Sequence, residues 1–242
     1  MTSTRSGFSP IDIAATTTCA LVWGTSWYAI TLQLGVVDPI VSLVYRFSLA
    51  AAMLFLWCRF RGEPIALSFD QHKAAAGVGL FSFTIDYSLT YFAEAHVVSG
   101  IVAVLFATLA FVNLVLFRIV FQERAPRGAW AATAFGIVGV ALLSQHEIVN
   151  AAANVEVSRG FVMAFAAVVA AAFGNLYARR GEEAGAPLRS SLAWSMAYGV
   201  TLLALLALAT GRRWTIDIRP AYLISLLYLA VAASRSVFPL PM

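Results

Sequence analysis

The chain has 242 residues, of which 61% are hydrophobic and 12% charged, with a mean hydropathy of +0.82. Soluble domains average about 45–50% apolar and about 25% charged residues, so this composition excludes an ordinary soluble globule and places the chain in the membrane class. The net charge of +4 comes from loop arginines rather than one basic face, which argues against nucleic acid as a partner.

Eight apolar runs follow in order: 13–34, 40–58, 74–93, 98–117, 127–144, 160–178, 190–209 and 221–234. The first seven meet the roughly 17–25 residues of a spanning helix, and the eighth is short. They predict an all-α membrane protein held in the lipid bilayer. The first run is too long for the core of a signal peptide and no small-residue cleavage site follows it, so it counts as a span. Cys19 and Cys58 fall within the first two runs, and two such thiols make no disulfide framework.

The first run clusters Trp23, Thr25, Ser26, Trp27 and Tyr28 around Gly24. Aromatic faces with a few hydroxyls suit a metabolite with an apolar or cationic part; packing and an interfacial aromatic belt are the other reading. Trp27 and Tyr28 lie too deep for a belt.

The second run carries Arg46, and the third carries Asp86 about 18 Å along a helix from Ala74. A carboxylate near mid-bilayer costs about 2.5–3.5 kcal/mol on insertion scales. Gly79, Ser82, Asp86, Thr90 and Glu94 recur at three- and four-residue steps, as one helix face does, with Tyr87 and Tyr91 beside them. Either Asp86 contacts substrate or carries a proton, or it is neutral or paired and joins two helices. Arg46 is its candidate partner, since both lie about 10 Å from the outer end of their helices; the alternative is an arginine reaching outward to the headgroups.

Asn113 in the fourth run, and Asn175, Tyr177, Trp194 and Tyr198 further on, are lesser cavity candidates that interhelical hydrogen bonds would explain equally well. Gly128, Ala132 and Gly136 mark a small-residue stripe in the fifth run, either intramolecular packing or the face of a homodimer.

Ten basic residues fall on one side of the predicted spans, from Arg5 through Arg59, Arg61, Lys73, Arg118, Arg124, Arg127, Arg179 and Arg180 to Arg189. Four fall on the other, Arg159, Arg212, Arg213 and Arg219. Basic loops stay cytoplasmic, so the amino terminus is expected inside. The loop GRRWTIDIRP is the misfit.

Two segments match loosely: WGTSWYAITLQLGVVDPIVSLVYRF, which runs on to Gly62, and FGNLYARRGEEAGAPLRSSLAWSM, which runs on to Gly211. Pro39 precedes Gly62 by nearly the distance at which Pro187 precedes Gly211. The copies lie five spans apart and so enter the membrane in opposite directions, as inverted repeats of secondary transporters do. With WGTSWY at 23–28, Pro39 to Arg46, SGIVAVLFATLAFVNLVLF at 99–117, QERAPRGAW at 122–130 and GIVGVALL at 136–143, the chain resembles the EamA-type branch of the drug/metabolite transporter superfamily. That resemblance implies ten helices in two inverted five-helix repeats around a central cavity. It also implies transport of a small organic metabolite, such as an amino acid or related compound, across the inner membrane. On this reading residues 1–147 form the first repeat and residues 158–242 an incomplete second one with about three spans.

The closing SRSVFPLPM, with two prolines and an arginine, reads unlike a span terminus, and it suggests a truncated or frame-shifted transporter; a genuine eight-helix variant is the alternative. A non-transporting remnant or accessory subunit is the competing functional class.

Enzyme chemistry finds little footing. His72, His96 and His146 lie at loops or membrane edges, with no HExxH and no paired cysteines, so neither metal nor cofactor is expected. GTSW is no nucleophile elbow, and no glycine-rich loop precedes the single lysine, Lys73.

Overall fold

The computed structural model describes residues 10–143, 145–146, 149 and 154–235. Arg5, Asn150, the terminal SVFPLPM and the Cys19 side chain lie outside the described residues.

The helices are α1 Pro10–Thr31, α2 Pro39–Arg61, α3 Phe69–Val78, a π-helical segment Gly79–Asp86, α4 Tyr87–Glu94, α5 Ser99–Phe106, α6 Leu109–Val120, α7 Arg127–Leu143, α8 Val155–Glu183, α9 Leu188–Ala209 and α10 Pro220–Arg235. No strand occurs among the described residues. Among the described residues each of the eight predicted runs falls mainly on helix. Four segments are long and apolar enough to cross a membrane unaided: Pro39–Arg61, Ser99–Val120, Val155–Glu183 and Leu188–Ala209. The first and third runs are more polar, the first through its hydroxyls and the third through Ser82, Thr84, Asp86, Ser88 and Thr90. Arg127–Leu143 and Pro220–Val231 are apolar but shorter.

Pro39, Gly62, Pro187 and Gly211 of the two loosely matching segments lie at helix boundaries. Asp38 caps α2 by accepting from the Ile40 N–H at 2.9 Å, with Pro39 in the first position, where the missing N–H costs nothing. Gly62 ends α2 at φ 67°, in the left-handed region that favours glycine. Pro187 precedes α9, and Gly211 follows it at φ 62°.

α2 lies along α9 in the most extensive helix contact, and the two run antiparallel because each end of one is bound to the opposite end of the other. Arg212, just past α9, donates from Nη1 to Asp38 Oδ2 at 2.9 Å; Arg189, at the start of α9, is paired with Glu63, just past α2. The α3–π–α4 rod packs on α8 and α9, α10 packs on α2, and α1 packs on α10. Exchanging α1, α2 and the rod for α8, α9 and α10 reproduces these contacts.

Lipid tails are as apolar as leucine, so these contacts rest on close fit and polar links more than on expelled water. α8 supplies the fit with Gly160, Ala164, Ala167, Ala171 and Gly174 on its buried face.

Candidate functional site

The π segment sets the level of Asp86. Thr84 Oγ1 donates to Gly79 O at 3.0 Å and to Gly199 O on α9 at 3.4 Å, and the Tyr87 N–H reaches back to Ser82 O. Five-residue steps of this kind recur at functional sites. They also break the single polar face expected from Gly79 to Glu94. Gly79 abuts α9, where an added Cβ would lie 2.7 Å from Ser195 O, and Ser82 abuts Gly174 of α8. Asp86 at the end of the π segment and Thr90 and Glu94 on α4 are buried further on, with Ser88, Tyr91 and Ala93 beside them.

The cation in electrostatic reach of both carboxylates is Arg46 of α2, which is 3% exposed. Its Nη1 donates to the Tyr91 hydroxyl at 3.3 Å, and that hydroxyl donates to Gln33 Oε1 at 2.6 Å. The guanidinium lies 4.8 Å from the Tyr87 ring centre and 5.2 Å from that of Phe47, within cation–π range. Phe47 meets Phe83 and Tyr87 edge-on at 4.9 Å, which fixes the aromatic wall.

The expected Arg46–Asp86 ion pair does not form. Among the described residues Arg46 has no carboxylate within 4.0 Å, although Asp86 and Glu94 are both within its electrostatic reach. The guanidinium is engaged with the two tyrosines of α4. Asp86 Oδ1 instead accepts from Thr90 Oγ1 at 3.2 Å. Nor does Arg46 reach outward to headgroups, since its side chain is enclosed.

Five buried polar atoms near this cluster or on α4 have no hydrogen-bond partner among the described residues: Gln33 Nε2, Arg46 Nε, Ser88 Oγ and both carboxylate oxygens of Glu94. Sequence reasoning passed over Gln33, a neutral amide in the turn after α1, and named Glu94 only as the outer end of a stripe.

The other candidates lie elsewhere. Trp23 and Tyr28 project from the surface, 68% and 66% exposed. Trp27 is half-buried against Phe106, with ring centres 5.0 Å apart. Thr25 bonds Tyr228 of α10 at 2.6 Å, and Ser26 turns back on its own helix. Asn175 Nδ2 donates to Asn113 Oδ1 at 3.3 Å, tying α8 to α6 beside a pocket of about 360 Å³ lined by Phe117, Glu123, Ala178, Arg179 and Glu182. Tyr177 stacks on Phe81 at 5.6 Å. Trp194 Nε1 donates to Ile65 O at 2.9 Å, and Tyr198 bonds His72 at 3.0 Å, so both join α9 to the loop and helix that follow α2. Gly128 and Gly136 meet no atom within 4 Å, so the α7 stripe is not used in packing among the described residues.

Apolar helices of spanning length around a buried polar cluster define a multi-pass helical membrane protein. Residues 11–145, more than half of the chain, match the EamA-like transporter family. The chain belongs to that family. It is similar to protein PagO of Salmonella typhimurium, 27% identical over 106 residues, which cover 44% of this chain and 35% of that one. It is also similar to the uncharacterized inner membrane transporter YedA of Escherichia coli K12, 25% identical over 162 residues, 66% of this chain and 50% of YedA. An uncharacterized transporter of Buchnera aphidicola is 23% identical over 97 residues, 40% of this chain and 32% of that one. The chain thus spans a third to a half of the length of these curated relatives. No solved structure matches it.

Proposed function

We propose that the chain is a secondary carrier for a small organic metabolite, such as an amino acid or related compound, and that solute binds at the cluster around Arg46. The observation that carries this reading is that cluster: Gln33, Arg46, Asp86, Thr90, Tyr91 and Glu94 are all buried, and several of their polar atoms are unpartnered. Ionisable groups inside a membrane are expensive and mark solute and ion pathways by default. Here the cost is not recovered by internal pairing.

The mechanism is alternating access between two inverted repeats, residues 1–147 and 158–242, in the inner membrane with the amino terminus in the cytoplasm. Support comes from the helix pairings, which recur when α1, α2 and the α3–π–α4 rod exchange roles with α8, α9 and α10. The two ion pairs obey the same exchange: one holds α2 to α9 at the outer end, the other at the inner end. Releasing one pair while the other holds would open the cluster to one side at a time. The open α7 stripe supports self-association.

Untargeted comparison of metabolites inside and outside cells with and without the gene tests the function. Selective redistribution of one small solute, abolished by Arg46→Ala at equal protein abundance, is expected. Identical profiles, together with no solute movement in vesicles carrying the protein, would overturn it.

A further inference from the structure

We infer that residues 62–68 form a hinged strap that shuts the inner mouth of the bundle, and that residues 211–219 are its outer counterpart, so that one is seated while the other is lifted. This rests on the transport reading above and adds the moving parts.

The inner strap follows α2 without helical structure. Gly62 turns the chain at φ 67°, and the Glu63 N–H reaches back to Cys58 O at 2.9 Å. Burial then alternates as in an extended chain: Glu63, Ile65 and Leu67 are half-buried, while Pro64, Ala66 and Ser68 are exposed. Three successive residues are latched to α9. Glu63 is paired with Arg189, Pro64 O accepts from Ser190 Oγ, and Ile65 O accepts from Trp194 Nε1 at 2.9 Å. Trp194 is itself fixed edge-on against Phe55 of α2 at 5.3 Å and His72 of α3 at 4.9 Å. Cys58 is wholly buried where strap, α2 and α9 meet, with Sγ 3.8 Å from Ser190 Oγ and 3.9 Å from Glu63 Oε2. None of the three latches belongs to the backbone ladder of a helix. The strap can therefore lift about Gly62 while α2 and α9 stay intact, as hinged segments do.

The outer strap starts in the same way. Gly211 turns the chain at φ 62°, and the Arg212 N–H reaches back to Ala207 O at 2.8 Å, the same five-residue step. Arg212 is paired with Asp38, and Thr215 O accepts from the Tyr45 hydroxyl of α2 at 3.3 Å, an aromatic donor on a strap carbonyl like Trp194. There the likeness ends. Ser42 stands three residues after Pro39, as Ser190 does after Pro187, but it bonds the Tyr222 hydroxyl of α10 at 3.0 Å rather than the strap. The apolar side chains of the outer strap are unseated, with Ile216 63% and Ile218 80% exposed. The inner strap is thus the shut one, and Arg46, next to Tyr45, lies nearest the lifted one.

The test labels single cysteines with a water-soluble, charged maleimide on the full chain in lipid nanodiscs, where both faces are open to the reagent. With Cys19→Ser, Cys58 is the sole thiol and should label slowly. Adding Ser190→Ala and Trp194→Phe should raise its rate about tenfold, as loss of two hydrogen bonds from the latch predicts. With Cys19→Ser, Cys58→Ser and Ile216→Cys, labelling should be fast, and the same two latch substitutions should slow it several-fold as the outer strap seats. An unchanged rate at Cys58 means that the strap does not cover it and overturns the inference. A rate at Ile216→Cys that holds or rises means that the substitutions only loosen the fold, and overturns it too. The labelling needs no solute, so its failure leaves the transport reading to the metabolite comparison.

Discussion

Tyr91 is the hinge of the polar cluster, because its one hydroxyl both accepts from Arg46 and donates to Gln33. Tyr91→Phe should leave two buried groups unmet and lower stability by about 1–3 kcal/mol, measured by reversible unfolding in detergent. Unchanged stability would mean that water replaces the hydroxyl. Asp86→Asn keeps an oxygen for Thr90 while removing the charge, so it should reduce transport more than abundance. Proportionate loss of both would make Asp86 structural, and wild-type transport would remove it from the mechanism. Arg46 and Asp86 were legible in the sequence because a charge inside an apolar run has few explanations. Their separate hydrogen-bond partners were not, because equal depth along two helices does not say which neighbours each side chain reaches. Gln33 was hidden by its neutrality and Glu94 by its place one residue beyond the apolar run.

Between helices, the ion pairs at the two ends of α2 and α9 carry a measurable coupling. Asp38 and Arg212 are partly exposed, so a double-mutant cycle with Asp38→Asn and Arg212→Gln should give about 0.2–1 kcal/mol. No coupling would make the contact incidental. The loop before α10 gives a pH-dependent counterpart. Arg219 donates to Asp217 from its side chain at 2.7 Å and from its backbone N–H at 2.9 Å, which holds the Asp217 carboxyl below its ordinary value. A depressed carboxyl contributes its stability above the unfolded value, near 3.9, and loses it as pH falls through the lowered one. Asp217→Asn should therefore melt below the wild type at pH 7, and the gap should close under strong acid; a gap independent of pH would refute this cause. The helix ends around these contacts were readable, since proline and glycine mark them chemically. The π segment was not, because it is marked by Thr84 bonding back to Gly79 and across to Gly199 of another helix, a contact that the order of residues does not show. The small-residue face that packs is on α8 rather than α7, and it was masked by alanines on every side of that helix.

For the whole molecule, the antiparallel pairing of α2 and α9 ties the amino-terminal loops to the carboxy-terminal ones. Glu63 and Arg189 must share one membrane side, and Asp38 and Arg212 the other. Arg59, Arg61 and Arg189 then lie together on the basic side. The loop GRRWTIDIRP remains the misfit: Arg212 is paired with Asp38 and Arg219 with Asp217, but acidic partners count little toward orientation. The ten basic residues on the other side outnumber this loop's three, and that bias sets the expected orientation. Reporter fusions after Gly62 and Gln122 should thus score cytoplasmic, and fusions after Asp38 and Asn150 should score on the far side. The reverse pattern would overturn the orientation, and Gly62 and Asp38 scoring on the same side would mean that α2 does not cross.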